Sequence, residues 1–377
     1  MLSMAPISVL HVIDTGGPGG AETVFLNCAT GLDPARFSCT AVIDNEDWLA
    51  QQLRARGLDP RVEPARGTFN AHYLGRIAGI ARSVQANLIC AHLYGSAVYA
   101  SALGMITRIP VISVFHGRVD VASGDRFTSL KARIVRNGSQ RVVFVSRNLS
   151  AELATTLKIP PKRTTVIPNG VDTEVFRPGR DDSIRRDLRL PPDAILIGAI
   201  GNIRPAKAYD NLLRAACILA NRSARFYFVI AGQYSGALAD GLMQMRNELQ
   251  LEKRVVFLGL RSDIATVLQN LDVFVLSSSS EGFSIACIEA MACGIPVIAT
   301  RCGGPEEILD AQSGILVQKG NPNELAAAIE HLAQHPEDTR DMAAAAVTRA
   351  RHEFSLTKML RRYETVFEEV VLERAKQ

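Results

Sequence analysis

The sequence predicts an α/β protein of two doubly wound, parallel-sheet domains, and three observations carry that prediction. Short runs rich in Val and Ile alternate with helical patterns along the whole chain, the signature of βαβ units. The rhythm stops and restarts once, at "NGVDTEVFRPGRDDSIRRDLRLPPDA", which carries Pro178, Gly179 and a Pro191-Pro192 pair without a sustained apolar period. The length, 377 residues, also exceeds what one hydrophobic core usually serves.

The first domain, residues 1–177, has candidate strands "ISVLHVID", "FSCTAVID", "NLICAH", "PVISVFH", "RVVFVS" and "TTVIP". The second, residues 178–354, restarts at "AILIGAIG" and continues with "RFYFVIAG", "RVVFLG", "DVFVLSS", "IPVIAT" and "GILV". Strands this uniformly apolar imply sheets covered on both faces. Residues 355–377 repeat apolar side chains at helical spacing, from Leu356, Met359 and Leu360 through Tyr363, Val366 and Phe367 to Val370 and Val371, and predict a helix buried along one face. Two such domains facing each other leave a cleft. Ligands of open α/β sheets bind beyond the carboxyl ends of the strands, so the strand-end motifs are the candidate sites.

Composition excludes several classes. Apolar residues make up 47% and charged residues 21%, the balance of a folded globular chain. Seven cysteines form an odd set without a C-x-x-C pair, which predicts reduced thiols and a cytoplasmic setting. The opening "MLSMAPISVLHVID" lacks a basic leader and reads as a first strand, and no apolar run approaches a membrane span. The charge is uneven. Residues 1–177 hold 19 Lys and Arg against 13 Asp and Glu, whereas the remaining 200 hold 23 against 25.

Four stretches carry chemistry. "DTGGPGGAE", residues 14–22, is a glycine-rich turn opening a helix, where backbone can approach a ligand and a helix N-terminus favours an anion. A dinucleotide fingerprint is the rival reading, since Gly17 and Gly19 give G-x-G and Asp44 ends the second strand; Glu22 takes the place of its third glycine. His116 follows the strand "PVISVF", placed to hydrogen-bond a hydroxyl, transfer a proton, or only satisfy local backbone. Arg204 and Lys207 lie on the loop after "AILIGAIG", where two cations suit a diphosphate.

The fourth stretch, "SSEGFSIACIEAMACGIPVIAT", sets Glu281 and Glu289 around a Gly-Phe-Ser turn in apolar sequence. Carboxylates there need partners, because desolvating one is costly. With Ser284 capping the helix "IACIEAMAC", Glu281 lies before it and Glu289 on it, about 7 Å further along the axis at 1.5 Å per residue. Free N–H groups lie between them. A nucleotide sugar has the matching layout of ribose, diphosphate and hexose. No G-x-x-x-x-G-K-[ST], G-x-S-x-G or H-E-x-x-H occurs, and no Cys/His spacing matches a zinc motif.

On these residues, and on "VIPNGVDTEVF" and the C-terminal helix, the chain resembles over essentially its whole length the retaining glycosyltransferases of family 4, of GT-B architecture. The resemblance implies that Glu289 binds the ribose hydroxyls and that Glu281 lies near the transferred sugar. The N–H groups of Phe283, Ser284 and Ile285 meet the phosphates, and Lys207 neutralises the leaving diphosphate. Gly19 and Gly20 give close backbone approach from the first domain, His116 contacts the sugar near its reacting carbon, and Arg261 contacts base or phosphate. The C-terminal helix crosses back to the first domain. One position departs: the family arginine five residues before the lysine is Asn202 here, with Arg204 two residues on.

Transfer from such a donor needs negative charge stabilised on a departing diphosphate, which fixed cations and a helix N-terminus supply. No Asp-x-Asp pair stands at a strand end, so no metal and no cofactor beyond the UDP- or GDP-sugar donor is expected. Retention by front-face attack is what the resemblance implies. The acceptor, a glycan or lipid-linked molecule of cell-surface polysaccharide or lipopolysaccharide assembly, is expected on the first domain, where residues 61–163 hold 15 basic and four acidic residues. There "RFTSLKARIVRNGSQR" sets Phe127, Leu130 and Ile134 among Arg126, Lys131, Arg133 and Arg136, which suits the anionic inner face of a cytoplasmic membrane or equally a solvated helix. The other readings are a nucleotide-sugar epimerase or hydrolase of this architecture, and a non-catalytic nucleotide-sugar-binding subunit. Nucleic-acid binding is excluded by the lack of interleaved aromatics and of any reading module.

Overall fold

The computed structural model describes residues 5–65, 70–118 and 127–376. The chain forms two compact units: one runs to Gly170 and resumes at Leu356, and the other is Val171–Ser355. Arg126 lies outside the described residues.

The first unit is built on β1 (Ile7–Ile13), β2 (Phe37–Ile43), β3 (Arg61–Val62), β4 (Leu88–His92), β5 (Val111–Phe115), β6 (Arg141–Phe144) and β7 (Thr164–Val166). They pair in parallel in the order β3-β2-β1-β4-β5-β6-β7. The six strands expected from sequence are present, and the added one is an edge strand of two residues, too short to leave a pattern. Alternation along β1 explains why it carries apolar residues on both faces. Leu10 and Val12 pack with Tyr73 and Ile77 in one cluster, whereas Ile13 packs with Phe25, Leu49 and Leu53 in another.

The helix Leu356–Ala375 belongs to this unit and buries Met359, Tyr363, Phe367 and Val370. Its neighbour, the helix Gly20–Gly31, ends close against it: a Cβ on Gly31 would come within 2.8 Å of Leu360 Cδ1, so a larger residue there would displace that leucine. Periodicity did not mark Glu364, which is buried. Its carboxylate accepts from the Asp33 backbone N–H and from Arg36 Nη1, both at 2.9 Å. Arg36 also holds Glu368, and Arg141 holds Glu373 at 3.1 Å.

The second unit contains β8 (Ile195–Ile200), β9 (Phe226–Ala231), β10 (Val255–Gly259), β11 (Val273–Leu276), β12 (Val297–Arg301) and β13 (Ile315–Gln318), parallel in the order β10-β9-β8-β11-β12-β13. All six had been expected. Ile195, Ile197, Leu212, Phe228 and Ile329 belong to its core. The boundary read from composition falls after residue 177, but residues 171–177 group with the second unit. The Val171 N–H donates to Phe354 O at 2.8 Å, and Arg177 O accepts from Gln269 Nε2 at 3.1 Å. Proline and glycine mark where periodicity stops; an irregular segment can still be hydrogen-bonded onto the domain that follows. In each sheet the strand order reverses once, between β1 and β4 and between β8 and β11. These are the topological switch points.

Candidate active site

At the β8/β11 switch point two loops are tied together. The Ser279 N–H donates to Ala206 O at 2.7 Å, and Ser277 Oγ to Lys207 O at 2.9 Å. Across this tie Lys207 Nζ donates to Glu281 Oε1 at 2.7 Å, and Ser278 Oγ donates to the same oxygen at 2.7 Å. The side chains of Lys207 and Glu281 keep only 20% and 13% of their exposure, so the pair is largely withdrawn from water. Gly201, at φ +151 after β8, is required here: a Cβ would stand 2.7 Å from Lys207 Cε. The Tyr209 hydroxyl donates to Gly201 O at 2.7 Å and secures the turn.

The segment after Glu281 is held from below. Gly304 N–H donates to Glu281 O at 2.9 Å, and a Cβ on Gly304 would meet Gly282 O at 2.6 Å. Phe283 is buried edge-on against Phe354, ring centroids 5.6 Å apart. Ser284 caps the helix Ile285–Ala292 as expected, its hydroxyl accepting from the Cys287 N–H at 3.3 Å, and Gly294 follows the helix at φ +73. Phe283, Ser284 and Ile285 therefore stand at a helix N-terminus beside the Lys207–Glu281 pair, an arrangement suited to an anion.

Glu289 sits one turn into that helix. Among the described residues no donor pairs with its carboxylate, which keeps some solvent contact. Burial pushes its pKa up from an ordinary 4.5 to about 7. A partly buried, unpartnered carboxylate of this kind is a ready acceptor for ligand hydroxyls.

The other cations are disposed differently. Arg204 is exposed, with no ion pair among the described residues, whereas Asn202 Oδ1 accepts from the Gln233 N–H at 3.0 Å and so is occupied by the turn. Arg261 is engaged by Asp263 through Nε to Oδ1 at 2.8 Å and Nη2 to Oδ2 at 2.5 Å, and this bond raises its pKa. A ligand reaching Arg261 has to share it with that carboxylate.

In the first unit Gly19 is the N-cap of the helix that begins at Gly20. The Glu22 carboxylate folds back over it: a Cβ on Gly19 would come within 2.3 Å of Glu22 Oε2. The turn is thus packed by its own acid, in the place where a dinucleotide fingerprint has glycine. His116 follows β5, and its Nε2 lies 3.1 Å from Nδ1 of His92, the two rings stacked at 17°. Burial lowers its pKa to about 3, so the imidazole is neutral at pH 7. Sequence reading overlooked Ser278, Tyr209 and His92. The available signal for His92 was its position as the last residue of "NLICAH", at the end of β4 beside the strand that leads to His116.

Paired parallel-sheet units with a C-terminal helix returned to the first are the GT-B architecture of glycosyltransferases, and solved structures agree. HepE of Anabaena, in a complex with UDP-glucose, superposes with a TM-score of 0.85 over 96% of this chain and 100% of that one, at 22% identity. A glycosyltransferase of Rickettsia africae gives 0.86 over 98% and 99%, at 21% identity. At such identities the likeness is one of fold.

The chain belongs to glycosyltransferase family 4. Residues 18–175 match the family described as Glycosyltransferase Family 4, and residues 180–349 match Glycosyl transferases group 1. The D-inositol 3-phosphate glycosyltransferase of Mycobacterium marinum is 36% identical over 200 residues, which are 52% of this chain and 42% of that protein. The Mycobacterium tuberculosis F11 enzyme of the same name is 39% identical over 178 residues, 46% of this chain and 36% of that one. The chain thus spans less than half the length of these curated relatives.

Proposed function

We propose that the chain is a retaining, metal-independent glycosyltransferase that moves a sugar from a nucleoside-diphosphate sugar to a glycan or lipid-linked acceptor. The Lys207–Glu281 pair at the N-terminus of the helix bearing Glu289 is the observation that carries this reading. The second unit is assigned the donor, with the ribose hydroxyls on Glu289 and the diphosphate on the N–H groups of Phe283, Ser284 and Ile285. As the glycosidic bond breaks, the electron pair stays on the diphosphate; Lys207 and the helix N-terminus offset that charge without reorganisation. Glu281 fixes the ammonium and leaves one carboxylate oxygen for sugar hydroxyls. Arg204, exposed on the same loop, adds a second cation on this assignment. The first unit is assigned the acceptor, with His116 as a neutral hydrogen-bonding group toward the sugar and Gly19 and Gly20 as the close-approach turn.

The UDP-glucose complex of HepE favours UDP over GDP as the carrier. The mycobacterial relatives are named for a phosphorylated cyclitol acceptor, which suits the basic first half of this chain. Thermal shifts with UDP, GDP, ADP, CMP and NAD in EDTA, on wild type and Glu289→Ala, test the assignment. A shift with one nucleoside diphosphate, lost in the variant, is expected by mass action. No shift, or one with NAD alone, sinks it. Sugar-nucleotide cleavage or epimerisation at full rate without acceptor would point instead to a hydrolase or epimerase.

Attachment to an anionic inner membrane face is part of the same proposal. Among the described residues no helix is long and apolar enough to cross a membrane. The helix Thr128–Gly138 starts beside Phe127 at 45% and carries Leu130 at 47% exposure, followed by Lys131 and Arg133, while Ile134 is partly buried. Flotation with anionic liposomes is expected to carry the protein upward, and Phe127→Ser with Leu130→Ser to leave it behind. A wild type that stays entirely in the soluble fraction removes membrane attachment.

A further inference from the structure

The sheet of the first unit holds a cluster of ligating side chains outside the proposed donor site. His11 on β1 and Cys90 on β4 are register partners, and His92, two residues further along β4, emerges on the same face as Cys90. All three are fully buried, and their ligating atoms lie within 4.8 Å of one another. Cys90 Sγ stands 3.6 Å from His92 Nε2. A sulfur at about 2.3 Å and a nitrogen at about 2.0 Å from one ion lie about 3.5 Å apart at a tetrahedral angle.

His11 supplies the independent observation. Both of its ring nitrogens are buried without a hydrogen-bond partner among the described residues, a state that protein interiors avoid. Its ring lies 6.0 Å from Phe25 and 6.1 Å from Phe367, centroid to centroid, so apolar faces surround it.

We propose that His11, Cys90 and His92 form a structural site for one thiophilic closed-shell cation, zinc(II) or copper(I). One thiolate and two imidazoles are the donors such ions select. The Cys90 thiol gives up its proton to solvent as the sulfur binds, the imidazoles donate lone pairs, and no electrons are transferred. Because the three residues are sealed from solvent, the ion enters while this unit folds. With Nε2 of His92 on the ion, its Nδ1 carries the proton and donates to His116 Nε2 at 3.1 Å, as outer partners of metal ligands do. The ion therefore fixes the tautomer of His116. This inference stands independently of the transferase reading.

The test is metal content. The full chain is produced in medium supplemented with zinc or with copper, dialysed against EDTA to strip surface ions, and measured by inductively coupled plasma mass spectrometry. Wild type and Cys217→Ser, a cysteine outside the cluster, are expected to retain about one equivalent, and Cys90→Ser and His11→Phe at least about tenfold less. The medium that loads the site names the ion. X-ray absorption at the metal edge of wild type needs no variant: a shell of one sulfur and two imidazole nitrogens supports the site. A wild type empty from both media, variants that retain the ion, or a different shell overturns it.

Discussion

Glu289 is held between two demands, burial that favours its proton and a proposed ligand that favours its charge. The folded chain binds the proton more tightly than the unfolded chain, with a pKa of about 7 against an ordinary 4.5. Native stability is therefore fully relieved of the charge below the lower value and declines as pH rises through the higher one. Glu289→Gln is expected to be more stable than wild type by about 1–2 kcal/mol at pH 8, allowing for the solvent contact the carboxylate keeps, and to match it near pH 4.5. Denaturant midpoints at the two pH values measure this, and a wild type as insensitive to pH as the variant refutes it. The motif made both glutamates legible as a pair around a turn. What it left out was that Glu281 is already claimed by Lys207 and Ser278 whereas Glu289 is not, because those partners come from a loop 74 residues away and from the strand end before it. Arg261 was legible as a cation at a strand end, but its capture by Asp263, two residues on, depends on side-chain directions that spacing does not specify.

For the helix Ile285–Ala292, the sequence showed both ends: a serine before the apolar run and a glycine after it. Ser284→Ala is expected to cost about 1 kcal/mol and Ser284→Gly only a few tenths, because the cap bond to Cys287 N is lost in both while glycine suits the extended N-cap backbone. Equal losses in chemical denaturation would show that the serine serves something other than the cap. The twelve longer strands were legible for a similar reason, since burial on both faces leaves uninterrupted Val- and Ile-rich runs. The edge strand β3 was not, since two residues cannot show a period. Positions such as Gly201 and Gly304 were visible as glycines but not as requirements. Their reason is the approach of Lys207 and of the Gly282 carbonyl, which only the folded chain contains.

Across the molecule, the alternation of strands and helices disclosed two units and a returning helix, and composition misplaced the first boundary by seven residues because residues 171–177 are irregular yet bonded to the second unit. The returning helix is the feature with the widest reach. It buries Tyr363 and Phe367 against the first unit and brings Glu364 to Arg36 and Asp33. A fragment of residues 1–170 is expected to bind the dye ANS through the exposed seat of that helix, and a peptide of residues 356–376 to suppress the signal. A fragment that binds no dye and unfolds as cooperatively as the whole chain would show the helix to be dispensable. During synthesis, then, the unit begun first is finished only after the second has been made. At ribosomal speeds of about 5–20 residues per second its sheet emerges roughly 10–40 s before residue 375 does. For that interval an apolar seat waits open beside the translating ribosome, which makes the nascent first unit, rather than the folded chain, the form most in need of a chaperone.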